Sequence, residues 1–203
     1  MYYFDKTLPI NPNNTENVQI SSHFFWKNCA DQSVINDFIR IGESLPEQDA
    51  SIGEESSSSV NFRTRLSKLS WIHRNEDNKS LFEFLIDKID RINYWHYGFN
   101  LTGLEALQYT RYPLNGHYDF HNDILMNKTK YCRKLSIVLS LSSLDEYQGG
   151  EFNLMPNGIN PTQFRFDKGD LIAFPGWVPH KVDPITKGTR ITIVSWANGP
   201  KFI

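Results

Sequence analysis

The chain of 203 residues has little sulfur, little net charge and no long apolar run. Its two cysteines, Cys29 and Cys132, are too few for a disulfide framework or a thiolate zinc site. Lys and Arg number 21 against 23 Asp and Glu, which leaves a net charge of -2. Such a balance gives no basic footprint for nucleic acid or for an anionic membrane. No stretch approaches the ~18 apolar residues of a membrane span. The opening MYYFDKTLPINPNN lacks the basic-then-apolar pattern of a signal peptide. The expectation is a cytoplasmic protein that takes neither nucleic acid nor membrane as a partner. Repeats of 20 to 50 residues and Pro/Gly linkers are also missing, which argues one domain over 1–203.

What is plentiful is aromatic: Phe 14, Tyr 9 and Trp 5, or 14% of the chain. Flat side chains suit wide sheet faces and lined pockets. Two helices are predicted in the first half. Val34, Ile35, Phe38, Ile39, Ile41 and Leu45 fall near helical spacing, with Asp31 or Ser33 as cap and Pro46 beyond the end. Leu81, Phe84, Leu85, Ile89 and Ile92 form a second stripe, with Ser80 to Glu83 as a capping box and Gly98 as a stop. The polar stretch Glu47 to Ser59 reads as a surface loop, either a tolerated insertion or a lid. The run NFRTRLSKLSWI reads as a strand.

From about residue 101 the texture changes to short β-branched or aromatic runs punctuated by Gly, Pro and Asn. Strands are predicted near Leu104–Tyr112, Tyr118–His121, Leu135–Leu141, Glu151–Met155, Gln163–Phe166, Leu171–Phe174, His180–Val182 and Thr189–Ala197. Many short strands argue a sandwich or barrel, with the helices on one face.

The segment YPLNGHYDFHNDI holds two His-x-Asp pairs, His117 with Asp119 and His121 with Asp123. Residues two apart on a strand share a face, so either pair can grip one cation from one side. Imidazole with carboxylate and no thiolate suits non-haem Fe(II), completed by a distant His. His180, in FPGWVPHKV after a predicted strand, is the best candidate for that third ligand. His23, His73 and His96 have no carboxylate at metal spacing and read as packing or surface residues. Alternation along RITIVSWA puts Arg190, Thr192, Val194 and Trp196 on one strand face. An inward Arg190 needs an anion, and its planar fork matches a carboxylate at two points. That suggests a dicarboxylate cosubstrate with one end on the metal. The alternative for Arg190 is an outward cation on an edge strand.

In this order, these residues resemble the 2-oxoglutarate and Fe(II)-dependent dioxygenases, in their prolyl 4-hydroxylase-like branch. The likeness spans about Leu107 to Trp196. Gly116, Tyr118, His121 and Asp123 match the family's Gly-x-Tyr-x-x-His-x-Asp, which selects the second pair over the first. Arg133 leads into a hydrophobic strand, Gly149, Gly150, Glu151 and Phe152 match a turn, and GDLIAFPGWVPHKVDPITKGTRITIVSW matches the closing half.

The resemblance implies a mainly β, α+β fold: a double-stranded β-helix (jelly-roll) core with supporting N-terminal helices. Residues 1–100 would give helical support and substrate-side strands, and 101–203 the catalytic core. It implies Fe(II) on His121, Asp123 and His180, and 2-oxoglutarate as cosubstrate. Arg190, with Thr192 and Tyr112, would meet the cosubstrate. O2 would be consumed, ascorbate is a further candidate cofactor, and succinate and CO2 would be co-products.

The implied substrate is peptidyl proline, giving 4-hydroxyproline. A free amino acid or other small molecule stays open, as does a non-enzymatic jelly roll binding a metal and a carboxylate. Two departures stand out. Ser140 occupies the place where some relatives contact 2-oxoglutarate with a Tyr. Thr192 and Trp196 stand where the nucleic-acid demethylase branch carries Asn and a second Arg. Arg63 and Arg65 are candidates for the substrate rim, or else plain surface charges. Trp177 would line the mouth or pack at the rim, and Tyr118, Phe120, Phe152, Phe174 and Trp196 would wall the site.

Overall fold

A computed structural model describes residues 2–3, 21–51, 60–124 and 131–201. In chain order its first strands are β1 (Tyr2–Tyr3), β2 (Phe24–Trp26), β3 (Gln48–Asp49), β4 (Arg65–Leu66) and β5 (Lys68–Ile72). There follow β6 (Gly103–Leu104), β7 (Leu107–Tyr112), β8 (His117–His121), β9 (Tyr131–Ser140), β10 (Tyr147–Gly149) and β11 (Phe152–Leu154). The last are β12 (Thr162–Phe164), β13 (Leu171–Pro175), β14 (His180–Val182), β15 (Ile185–Gly188) and β16 (Arg190–Pro200). Helix α1 (Gln32–Ser44) precedes β3, and α2 (Lys79–Ile92) follows β5.

The larger sheet runs β2-β13-β9-β16-β7-β5-β3, with β6 beside β16 and β1 beside β6. The smaller sheet runs β12-β11-β14-β8-β4, and β10 pairs with β15. All these pairings are antiparallel. The two sheets face each other as a jelly roll.

Alternation divides the apolar side chains between two cores. Leu135, Ile137, Leu139, Leu171, Ala173 and Ile193 face the helices and meet Ile35, Phe38, Leu81, Leu85 and Ile89. Between the sheets, Val138, Ile172 and Phe174 of the larger meet Phe152, Leu154 and Val182 of the smaller. Tyr112 belongs to this second core, which floors the site.

Asp31 caps α1 by accepting a 3.0 Å bond from the Val34 N–H. The capping box expected at Ser80 to Glu83 is not formed. Asn78 is the N-cap of α2, and Asn75 and Asn78 exchange side-chain and backbone hydrogen bonds instead. Phe82 rather than Phe84 is fully buried on the sheet side. Past Ile92 the chain continues as a π-helical turn, Asn93–Tyr97, and stops at Gly98 with φ 62°.

Of the expected Glu47 to Ser59 loop, Gln48 and Asp49 pair with Leu69 and Lys68. Residues 52–59 lie outside the described residues. The first half of the chain also enters both sheets, because β2, β3 and β5 extend the larger and β4 edges the smaller. No helix among the described residues is long and apolar enough to cross a membrane.

Candidate metal and cosubstrate site

Cross-strand register assembles the site. β14 pairs with β8 so that His180 lies opposite His121, and a bulge follows before Val182. Asp123 sits just past β8, where its N–H and that of Ile124 both bond the Gly176 carbonyl. That carbonyl belongs to the turn between β13 and β14, so one turn fixes Asp123 and leads into His180.

The ligand-type atoms of His121, Asp123 and His180 lie within 4.8 Å of one another. His121 Nε2 is 3.8 Å from Asp123 Oδ1, and His180 Nε2 is 3.5 Å from Oδ2. Each imidazole has its other nitrogen occupied. His121 Nδ1 bonds the Asp119 carbonyl at 2.8 Å, and His180 Nδ1 bonds the Val178 carbonyl at 3.0 Å. A carbonyl can only accept, so both Nδ1 atoms donate and both Nε2 lone pairs are left to face the carboxylate. Ser136 on β9 donates a 2.7 Å bond to Asp123 Oδ2.

Protonation suits a cation. Burial first, and the neighbouring His180 second, hold His121 well below its ordinary value. Burial pushes the Asp123 carboxyl up, but His180, His121, the Trp196 indole and Arg133 outweigh it and leave it below the usual range. No hydrogen bond of ordinary geometry joins the Trp196 Nε1 to it. At neutral pH the site therefore holds a neutral His121 beside a carboxylate, as metal binding requires. Two imidazoles, one carboxylate and no thiolate fit non-haem Fe(II).

Aromatic rings dry this centre. Tyr118 stacks on His121 with centroids 3.5 Å apart, and Phe174 and Phe152 flank His180 at 4.7 and 5.5 Å. Trp177 is 36% exposed and edges onto Phe99 at 5.6 Å. Phe120 does not join them. It is 42% exposed on the outer face, under Lys181.

Arg190 points inward. It is 1% exposed, and its Nε and Nη2 have no hydrogen-bond partner among the described residues. Thr192, two residues on, is fully buried with an equally unpartnered Oγ1. Tyr112 pairs with Arg190 across β7 and β16, and its ring lies 5.6 Å from the guanidinium. A buried cation and a hydroxyl without partners are costly unless a ligand meets them. A carboxylate is the ligand that a guanidinium fork and a hydroxyl fit.

The Gly-Gly turn makes room for the Arg190 stem. Gly149 and Gly150 hold φ 72° and 68°, and a Cβ on Gly150 would strike Ile185 and crowd Arg190 Cδ at 3.3 Å. Ser140, in the place of the relatives' Tyr, turns its hydroxyl to the Ser142 carbonyl.

The other histidines stay apart. His117 bonds the Asn115 and Arg63 carbonyls, His23 meets Phe164, and His96 meets Phe24. Arg65 is not a surface charge: it is 7% exposed and bonded to Ser67 and Gln108. Its burial follows from the two-residue strand that docks it against β8. Sequence reasoning also missed Ser136, Gln108 and the pair Arg133–Glu105, which closes at 2.6 Å with Arg133 stacked 3.7 Å over Trp196. Only Arg133 carried a signal, through the family motif.

The family model of the 2OG-Fe(II) oxygenase superfamily matches residues 107–198. A PKHD-type hydroxylase of Crocosphaera subtropica is 28% identical over 59% of this chain and 54% of its own length. Another, from Idiomarina loihiensis, is 32% identical over 42% of this chain and 38% of its own. The match thus spans about half or less of these curated relatives. A Pseudomonas putida prolyl-4-hydroxylase structure superposes with TM-score 0.71 at 14% identity, covering 95% of this chain and 98% of that one. A Trichoplax adhaerens prolyl hydroxylase, solved with a hypoxia-inducible-factor oxygen-degradation-domain peptide, gives 0.68 at 22%, covering 93% and 87%. At those identities the two structures speak to the fold.

Proposed function

We propose that the chain, whose residues 107–198 match the family model of the 2OG-Fe(II) oxygenase superfamily, hydroxylates a C–H bond of a proline-containing peptide. The observation that carries this reading is a His121–Asp123–His180 cluster, with Asp123 and His180 buried, in the same jelly roll as Arg190, whose Nε and Nη2 lack partners among the described residues. In it, Nε2 of each histidine and the Asp123 carboxylate hold Fe(II). Arg190 and Thr192 hold the far carboxylate of 2-oxoglutarate, and Tyr112 walls the cosubstrate beside Arg190. When bound, iron and 2-oxoglutarate use O2 to insert one oxygen into the substrate, with succinate and CO2 as co-products.

The protein's part is orientation and dryness. The Asp119 and Val178 carbonyls fix the two imidazole tautomers, and Ser136 fixes the carboxylate. Tyr118, Phe152 and Phe174 keep water from the oxidising centre. A proline ring suits the exposed aromatic edge of Trp177 and Phe99, and extended proline-rich peptides lose little entropy on docking. The curated relatives are named as hydroxylases, which supports the reaction class.

The test is mass spectrometry of a proline-containing peptide library after incubation with iron and 2-oxoglutarate. The expected result is a gain of one oxygen on proline. Succinate formation with every peptide unchanged would move the assignment to a free amino acid or another small molecule.

A further inference from the structure

Among the described residues two guanidinium groups are buried, those of Arg65 and Arg190. Arg190 is accounted for by the cosubstrate. Arg65 is not, and it sits on a different wall: in β4, the edge strand of the smaller sheet, opposite Tyr118 of β8. Its Nε donates to Ser67 Oγ at 2.9 Å and its Nη2 to Gln108 Oε1 at 3.0 Å. The same Gln108 oxygen also accepts from Thr110. These acceptors are neutral. Among the described residues no carboxylate pairs with Arg65, and its Nη1 makes no hydrogen bond. The contrast is Arg133, whose charge is met by Glu105 at 2.6 Å.

The flat face of Arg65 lies 4.5 Å from the Tyr118 ring centroid, and Tyr118 in turn stacks on His121. The cation is thus one ring away from a ligand of the proposed iron. A π face and two amide or hydroxyl dipoles offset only part of the cost of desolvating a guanidinium. As a mere tie between β4 and Gln108 of the larger sheet, a neutral donor would serve without burying a charge. An arginine one ring away from the reacting centre, with one Nη unbonded and no counter-ion among the described residues, has the form of a receptor for an anion.

We infer that Arg65 binds a carboxylate of the primary substrate and so selects substrates that carry one near the hydroxylated carbon. The inference rests on the hydroxylase reading above. The carboxylate has two sources: the main-chain carboxylate of a free amino acid, or an Asp or Glu side chain adjacent to the target proline in a peptide.

The experiment titrates the Fe(II) and 2-oxoglutarate complex without oxygen, using matched pairs of probes in a calorimeter. One pair is L-proline and L-prolinamide. The other is acetyl-Asp-Pro-amide and acetyl-Asn-Pro-amide. The expected result is about a tenfold preference for the charged member of one pair, the size of a single charge-assisted contact. The pair showing it identifies the source. Arg65→Met should bring the ratio close to one, and Arg65→Lys should keep part of it.

Equal binding within both pairs by the wild type overturns the inference, as does failure to bind any probe. So does a preference that survives in a folded Arg65→Met. Should thermal melting show that variant unfolded, Arg65→Gln takes its place with the same criterion. Wild-type succinate formation is measured in parallel. Its absence strikes the hydroxylase reading, whereas the probe ratio reports on Arg65 alone.

Discussion

The Ser136 hydroxyl donates a 2.7 Å hydrogen bond to Oδ2 of Asp123, the same oxygen that lies 3.5 Å from His180 Nε2. Ser136 reaches it from β9 in the larger sheet, while both histidines sit in the smaller one. One hydroxyl thus locks the carboxylate between the two sheets. Ser136→Ala should weaken metal affinity roughly tenfold or more, as loss of a ligand's outer partner does. The fold should persist, because Ser to Ala is a small change of volume. Competition titration with a chromophoric chelator, beside a thermal melt, checks both halves. Unchanged affinity would mean that backbone bonds alone hold Asp123.

Arg190 carries two buried nitrogens that nothing in the described protein satisfies. Arg190→Met should raise the KM for 2-oxoglutarate by tenfold or more, because a two-point, charge-assisted contact is lost. Relief of the unpaired charge should leave the melting temperature level or slightly higher in the absence of cosubstrate. An unchanged KM would remove Arg190 from the cosubstrate site.

Asp90, half-buried on α2, has its carboxyl pushed up to about 6, by burial first and by the charge of Asp87 second. The folded state therefore holds this proton more tightly than the unfolded chain does. The stability it confers is present at low pH and is lost as pH rises from about 4, the unfolded value, through about 6. Asp90→Asn removes that loss. It should raise the melting temperature at pH 8 by about 1–2 °C, a small gain because the site is partly solvated, and should give no gain at pH 4. Melts at the two pH values check the sign.

Gly42 on α1 packs flat against the Tyr109 ring of β7, and a Cβ there would fall 2.3 Å from the ring. Gly42→Ala should cost about 1–3 kcal/mol despite the better helix propensity of alanine, because the rigid ring cannot give way. Urea unfolding measures it. A neutral or stabilising result would show that α1 can slide on the sheet.

The grouping of His121, Asp123 and His180 and the inward turn of Arg190 were legible because two-residue alternation and a motif are local properties of the chain. Most of their supporting groups were not legible. Ser136, Gln108 and Glu105 become neighbours of Asp123, Arg65 and Arg133 through register between strands, and no local pattern encodes register. Arg65 reads as a rim or surface charge for the same reason: a lone Arg among Ser and Thr gives no sign that Tyr118 and Gln108 will enclose it. The helices show a subtler limit. Periodicity found α2, but two asparagines outcompeted the Ser80–Glu83 box, and Phe82 rather than Phe84 turned to the sheet. The strands Phe24–Trp26, Tyr147–Gly149 and Ile185–Gly188 are three or four residues long, too short to establish a period. Pairing with neighbours, not propensity, makes them strands.

In the proposed reaction His121, Asp123 and His180 hold the iron that couples 2-oxoglutarate turnover to hydroxylation. The most direct measurement of this is succinate formed from 2-oxoglutarate by the purified protein, with Fe(II) present, after exhaustive chelation, and in Asp123→Ala. Succinate should form with Fe(II), vanish on chelation, return when Fe(II) is restored, and be absent in the variant. Succinate formation that survives complete removal of iron, or that persists in Asp123→Ala, would contradict the account.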